Sequence, residues 1–176
     1  MFGSKTTRML ACLDRYKYQK RSFIAFKPAV DDRYSESSIV THSGFSVPAM
    51  CVDNVDDLKK AIRDRHNSDN PVDVIAVDEA FMIEGISEAL IDLFREGYTI
   101  LVASIQMSSD GKPFHEIKEM LPWATKIEIC PAVCAESGVD AYYTYSKVEK
   151  RDEITVGGED IYEPRSWSFH DKIRLK

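Results

Sequence analysis

Three nearly continuous apolar runs, at residues 22–26, 72–77 and 98–104, are separated by stretches of helical periodicity. This alternation limits the possible folds more than any other feature of the chain. A strand that is apolar on both faces cannot turn a side to water, so it must be covered above and below, and the intervening helices are the natural covers. The expected class is therefore α/β, built on a parallel sheet.

The helical segments have distinct signatures. In residues 6–18, Met9, Leu10, Leu13 and Tyr16 recur at three- and four-residue spacing, while Arg8, Asp14, Arg15 and Lys17 fill the other face. Asn54 suits the N-cap of a helix over residues 55–65, with Leu58, Ala61 and Ile62 on one side. Residues 86–96 form an amphipathic helix stopped by Gly97, and 114–121 a shorter one. Residues 39–47 carry a turn at Ser43-Gly44 and read as a hairpin. From Ala124 the pattern changes to short strand-like pieces and turns. The expected division is a core over residues 1–123 and a smaller lobe over 124–176.

A net charge of −6 argues against a nucleic-acid-binding surface. No apolar run approaches the length of a membrane span, and no leader pattern is present. The four cysteines (Cys12, Cys51, Cys130 and Cys134) are scattered, which fits reduced thiols in a cytoplasmic compartment.

Two clusters carry chemistry. Gly3-Ser4-Lys5-Thr6-Thr7 reads as the back half of a phosphate-binding loop, G-x-x-x-x-G-K-[ST], and runs directly into the first helix. In that pattern backbone N–H groups wrap the phosphates, the lysine reaches their outer oxygens and the hydroxyl holds a metal ion. Ser4 stands where the pattern has glycine, and the strand expected before the loop is missing from a chain that starts at Met1. The second cluster is Asp78-Glu79, at the end of the run 72–77. In open α/β sheets ligands bind beyond the carboxyl ends of the strands. There Asp78 suits a cation, and Glu79, facing the other way, suits a general base.

These and other segments make the chain resemble the type II thymidine kinase family (cytosolic, phage and viral) along nearly its whole length. The start is similar to the family's G-P-M-F-S-G-K-T-T, with its front absent and its S-G inverted. Residues 15–17 match R-Y-K, and residues 26–34 match the K-P-A-x-D-x-R-Y segment. Residues 41–44 match the T/S-H-x-G hairpin and Val77-Asp78-Glu79-Ala80-Phe81 the I-D-E-A-Q-F stretch. Gly111-Lys112-Pro113-Phe114, Ala132-Val133-Cys134, Tyr143-Thr144 and Val156-Gly157-Gly158 with Tyr162 follow in family order.

The resemblance implies a RecA-like P-loop core and a small lobe bearing a lasso over the substrate. It implies ATP and Mg²⁺ as cofactors, and transfer of the γ-phosphoryl group to the 5′-hydroxyl of thymidine. Glu79 is the implied base. Gly3, Ser4, Lys5, Thr6, Thr7, Asp31, Arg33, Asp78, Glu79, Ala80 and Phe81 are implied on the nucleotide side, with Thr6 and Asp78 serving Mg²⁺. Phe114, Thr144, Glu153, Ile154, Thr155, Val156, Gly157 and Tyr162 are implied around the nucleoside. A homotetramer in the cytoplasm (the host's, for a phage or viral protein) is implied as well.

The family's structural zinc needs two C-x-x-C pairs. The corresponding positions here are Cys134 and Ser137, then Ser166 and Phe169. One thiolate cannot hold a structural zinc, so a lobe without zinc is expected, with Phe169 or Trp167 packed where the metal would be. A rearranged site using Cys130 and His170 is the alternative. Other departures are Phe81 for the family's glutamine, Ser109 for an aromatic and Ser146 for an arginine. Each lost contact is worth ~1–3 kcal/mol, or roughly 10- to 100-fold in rate. A catalytically impaired binding paralogue, acting as an interaction subunit, is therefore the alternative to an active kinase.

Overall fold

The computed structural model describes residues 2–31, 37–41, 43–68, 71–148 and 157–174. Its first helix, α1 (Lys5–Tyr18), leads into β1 (Phe23–Pro28). The hairpin β2 (Ser38–Val40) and β3 (Ser46–Pro48) is antiparallel, with Ile39 opposite Val47. Then come β4 (Met50–Val52), α2 (Val55–Asn67), β5 (Val74–Asp78), α3 (Ile86–Arg95), β6 (Thr99–Ala103) and α4 (His115–Met120). The remaining strands are β7 (Ala132–Val133), β8 (Asp140–Ala141), β9 (Tyr143–Ser146) and β10 (Tyr162–Arg165).

Four strands make one parallel sheet in the order β4-β1-β5-β6. Because successive side chains of a strand point to opposite faces, the sheet divides its core in two. Ile24, Phe26, Ile75 and Val77 face a cluster with Leu58 and Ile62 of α2, Ile86 and Leu90 of α3, and Ile117 of α4. Ala25, Val74, Ala76 and Ala103 face Met9, Leu10 and Leu13 of α1 together with Ile39 and Val47 of the hairpin. The small alanines on that side let α1 approach the sheet closely, so the N-terminus of α1 comes to the carboxyl ends of the strands.

Several readings of the sequence need correction. The strand β4 went unanticipated. Its three residues have no strand periodicity, and they are extended because Phe26, Lys27 and Pro28 pair with Met50, Cys51 and Val52. The run 98–104 forms β6, but it is not buried on both faces, because Val102 is 40% exposed on what is the edge strand of the described sheet. Cys12, on the helix α1, is exposed, and no disulfide joins the four cysteines. Residues 124–131 lack strand structure, and Ile127 and Ile129 there are 60% and 68% exposed. That segment lies against the first loop: Arg8 pairs with Glu128, and Gly3 abuts Cys130. No helix among the described residues is long and apolar enough to cross a membrane.

The start of α3 shows how one element fixes another. Gly85 lies at φ 74 before the helix, and no side chain of its own caps it. Instead Glu116, from α4, accepts hydrogen bonds from the backbone N–H groups of Gly85 (2.9 Å) and Ser87 (2.8 Å). The carboxylate thus satisfies donors that a helix start leaves open, and its charge complements the helix dipole. Burial pushes the Glu116 pKa up, but the bonds from Ser87 and Gly85 outweigh burial and hold it below its ordinary value. A depressed carboxyl pKa adds stability above the unfolded-state value, and that stability is lost as the pH falls through the folded-state value. Glu116→Gln is expected to cost about 1–3 kcal/mol at pH 7, because its amide turns a donor toward a donor. The penalty should shrink as the pH falls below the ordinary carboxylate range, as urea melts on either side of that range would register.

Candidate active site

The loop and the acidic pair, far apart in sequence, meet at the carboxyl end of β5. Thr6 Oγ1, in the first turn of α1, donates to Asp78 Oδ2 at 3.0 Å. The Glu79 backbone N–H donates to Asp78 Oδ1 at 3.1 Å. Asp78 is buried, and its pKa is raised to about 7. Burial is the largest cause and the Glu79 charge the second; the Thr6 hydrogen bond, the Lys5 charge and the Glu79 N–H oppose them. A buried carboxylate beside a hydroxyl, partly starved of positive charge, has the donor chemistry of a hard-cation site.

Glu79 has a left-handed backbone (φ 48, ψ 42) and begins a 3-10 turn over Ala80–Met82. For a residue with a β-carbon this conformation costs roughly 1–2 kcal/mol, and such strain collects at functional positions. The turn swings Glu79 out of strand alternation. Ala80 behind it is fully buried in the core, and Phe81 is turned against Phe114, with ring centroids 4.4 Å apart.

Ser4 is also left-handed (φ 57, ψ 24), immediately before α1. Glycine adopts this geometry freely, which accounts physically for the glycine that phosphate loops carry there. Gly3 is required for a different reason: a β-carbon on it would come within 2.0 Å of the Cys130 carbonyl oxygen. The two neighbours are therefore not interchangeable. Ser4→Gly is expected to raise stability by about 1 kcal/mol, seen as a higher denaturation midpoint, whereas Gly3→Ala should lower it.

The remaining candidates fall into three groups. Lys5 is half-buried at the start of α1, and Thr7 is exposed. Asp31 is buried, and its carbonyl oxygen accepts from the buried Lys27 ammonium at 2.7 Å. Around the expected nucleoside site, Phe114 sits with Phe81, while Thr144 and Tyr162 are buried in the β9–β10 pair. Gly157 is half-buried, and a β-carbon there would meet the Ile161 side chain at 2.6 Å. Arg33, Glu153, Ile154, Thr155 and Val156 lie outside the described residues.

Lys27 had received no role from the sequence, although it belongs to the K-P-A segment. It lies one residue beyond the last β1–β5 pair, Phe26 with Val77, and so stands beside the end of β5. A lysine in an otherwise apolar strand was the signal available to find it.

A parallel four-stranded sheet flanked by helices, with a loop-to-helix turn meeting a buried carboxylate at the carboxyl ends of its strands, is consistent with an α/β core of the P-loop class. Residues 1–169 match the family model for thymidine kinase, and the chain belongs to the thymidine kinase family. The family's substrate is thymidine, phosphorylated with ATP and a divalent cation.

Proposed function

We propose that the protein is an ATP-dependent thymidine kinase that transfers the γ-phosphoryl group of ATP to the thymidine 5′-hydroxyl to yield thymidine monophosphate. The observation that carries this reading is the Thr6–Asp78 hydrogen bond across 72 residues, with Glu79 next to it at the mouth of the sheet. Thr6 and Asp78 would hold magnesium, which when bound neutralises phosphate charge. The N-terminal N–H groups of α1 and the Lys5 ammonium bind the phosphates and orient them. Glu79 takes the proton from the attacking hydroxyl. Asp31 and Arg33 flank the phosphates. Phe114, Thr144, Gly157 and Tyr162, with residues 153–156, enclose the nucleoside and keep water from competing for the phosphoryl group. In this reading residues 1–123 are the catalytic core and 124–176 the substrate-covering lobe of a cytoplasmic homotetramer.

A second reading is a binding paralogue with impaired catalysis, and the strained Ser4 favours it. Its β-carbon projects where backbone should approach phosphate most closely. Purified protein incubated with MgATP and labelled thymidine, beside Lys5→Ala, separates the two. Thymidine monophosphate that disappears in the variant supports the kinase. A folded protein that forms none overturns it in favour of the binding paralogue.

A further inference from the structure

The family's small lobe implies a structural zinc, and the residues here do not fit one. At the four corresponding positions stand Cys134, Ser137, Ser166 and Phe169. Structural zinc is held by thiolates and imidazoles, and serine hydroxyls are not among its usual ligands. Phe169 does not fill the metal's place, because it is 46% exposed, and Trp167, 50% exposed, leans on Tyr143 instead. The rearranged alternative is not assembled either. Cys130 lies against Gly3 of the first loop. His170 is fully buried, with Nε2 at 3.0 Å from the Thr144 carbonyl oxygen. Among the described residues no three His, Cys, Asp or Glu side chains gather as a metal-holding group.

Other bonds occupy the same ground. The buried Cys134 is held in the turn after β7 by its backbone, its N–H donating to the Val139 carbonyl at 2.8 Å and its carbonyl accepting from the Gly138 N–H at 3.0 Å. Ser166 Oγ is buried there with no hydrogen-bond partner. Ala135 N–H donates to the Pro164 carbonyl at 3.0 Å, which ties the turn after β7 to β10. The Arg165 guanidinium reaches Glu136 at 2.9 Å, pairs with Glu163 on its own strand and lies over the Tyr145 ring at 4.7 Å. Lys172 covers the same ring at 4.7 Å and donates to the Ser146 carbonyl at 2.7 Å.

We propose that this lobe is closed without metal, by the Ala135–Pro164 backbone hydrogen bond and an Arg165-centred network that join the turn after β7 to the β9–β10 pair. Four thiolates in one place repel one another and need a dication to coexist. A lone cysteine, Cys134, meets no such repulsion. Because β9 and β10 carry Thr144 and Tyr162, the same tether positions two residues of the proposed nucleoside site.

The proposal rests on family membership and on the lobe's own contacts, so its test does not depend on turnover. Protein produced in zinc-supplemented medium and dialysed without chelator should contain no stoichiometric zinc by elemental analysis. Its thermal midpoint should be unmoved by a strong zinc chelator. The combined variant Ser137→Cys, Ser166→Cys, Phe169→Cys should acquire a zinc equivalent and become chelator-sensitive. Stoichiometric zinc in the native chain, lost to the chelator with a fall in the midpoint, would overturn the proposal. Failure of the folded combined variant to take up zinc would equally overturn it, since these substitutions would then not be what removed the site.

Discussion

Asp78→Asn is expected to stabilise the metal-free protein at pH 8 and to impair turnover strongly. The Asp78 carboxyl is raised from 3.8 to about 7, first by burial and then by the Glu79 charge. Folding therefore opposes its ionisation. For an acid raised in the folded state, the associated stability is complete below the unfolded-state pKa, near 4, and is lost as the pH climbs to about 7. Above that the ionised, buried carboxylate costs on the order of 4 kcal/mol. Asparagine is neutral at every pH and can still accept from Thr6. The stabilising effect of the substitution should thus be small near pH 4, grow to pH 7 and level off above it. Denaturant melts at several pH values would reveal this, and a gain independent of pH would sink the argument. Magnesium should stabilise the native chain at pH 8 but not the variant. Loss of a cation ligand should also reduce turnover by at least about 10²-fold.

Glu79→Gln is expected to lower kcat by about 10²- to 10⁴-fold, the usual contribution of a positioned general base, with little change in KM for thymidine or ATP. The left-handed backbone at this position is set by the 3-10 turn behind it, so the variant should fold like the native chain. The same substitution has a second, electrostatic effect. The Glu79 charge is the second cause of the raised Asp78 pKa, so its removal should lower that pKa and strengthen magnesium binding near pH 6. Steady-state kinetics with cation titrations at two pH values would test both halves. An unchanged kcat would remove Glu79 from the role of base.

The helices were legible because their signals are local. Leu58, Ala61 and Ile62 repeat at helical spacing, and Asn54 caps its own helix by accepting from the Asp57 N–H at 3.0 Å. Gly97, at φ 101, ends α3 as its sequence position implied. The hairpin before β4 was legible from its turn. For β4, strandhood is conferred by β1 rather than by its own three residues. The edge exposure of β6 was hidden for a related reason, since an apolar run reads the same whether one or both neighbours are present.

Of the candidate site, the sequence alone determined the inventory: a loop with Lys5 and Thr6 opening a helix, and two carboxylates ending a strand. Only the tertiary structure decided how these residues meet. Thr6 reaches Asp78 because the small residues of β1 and β5 seat α1 close against the sheet. Likewise, β1 pairing carries Lys27 to the end of β5, and α4 packing delivers Glu116 to the start of α3. Such contacts depend on sheet register and helix packing, which arise from the whole set of apolar faces being buried together. The spacing of residues along the chain encodes a helix turn within a few positions, but it holds no local record of which distant carboxylate a hydroxyl will face.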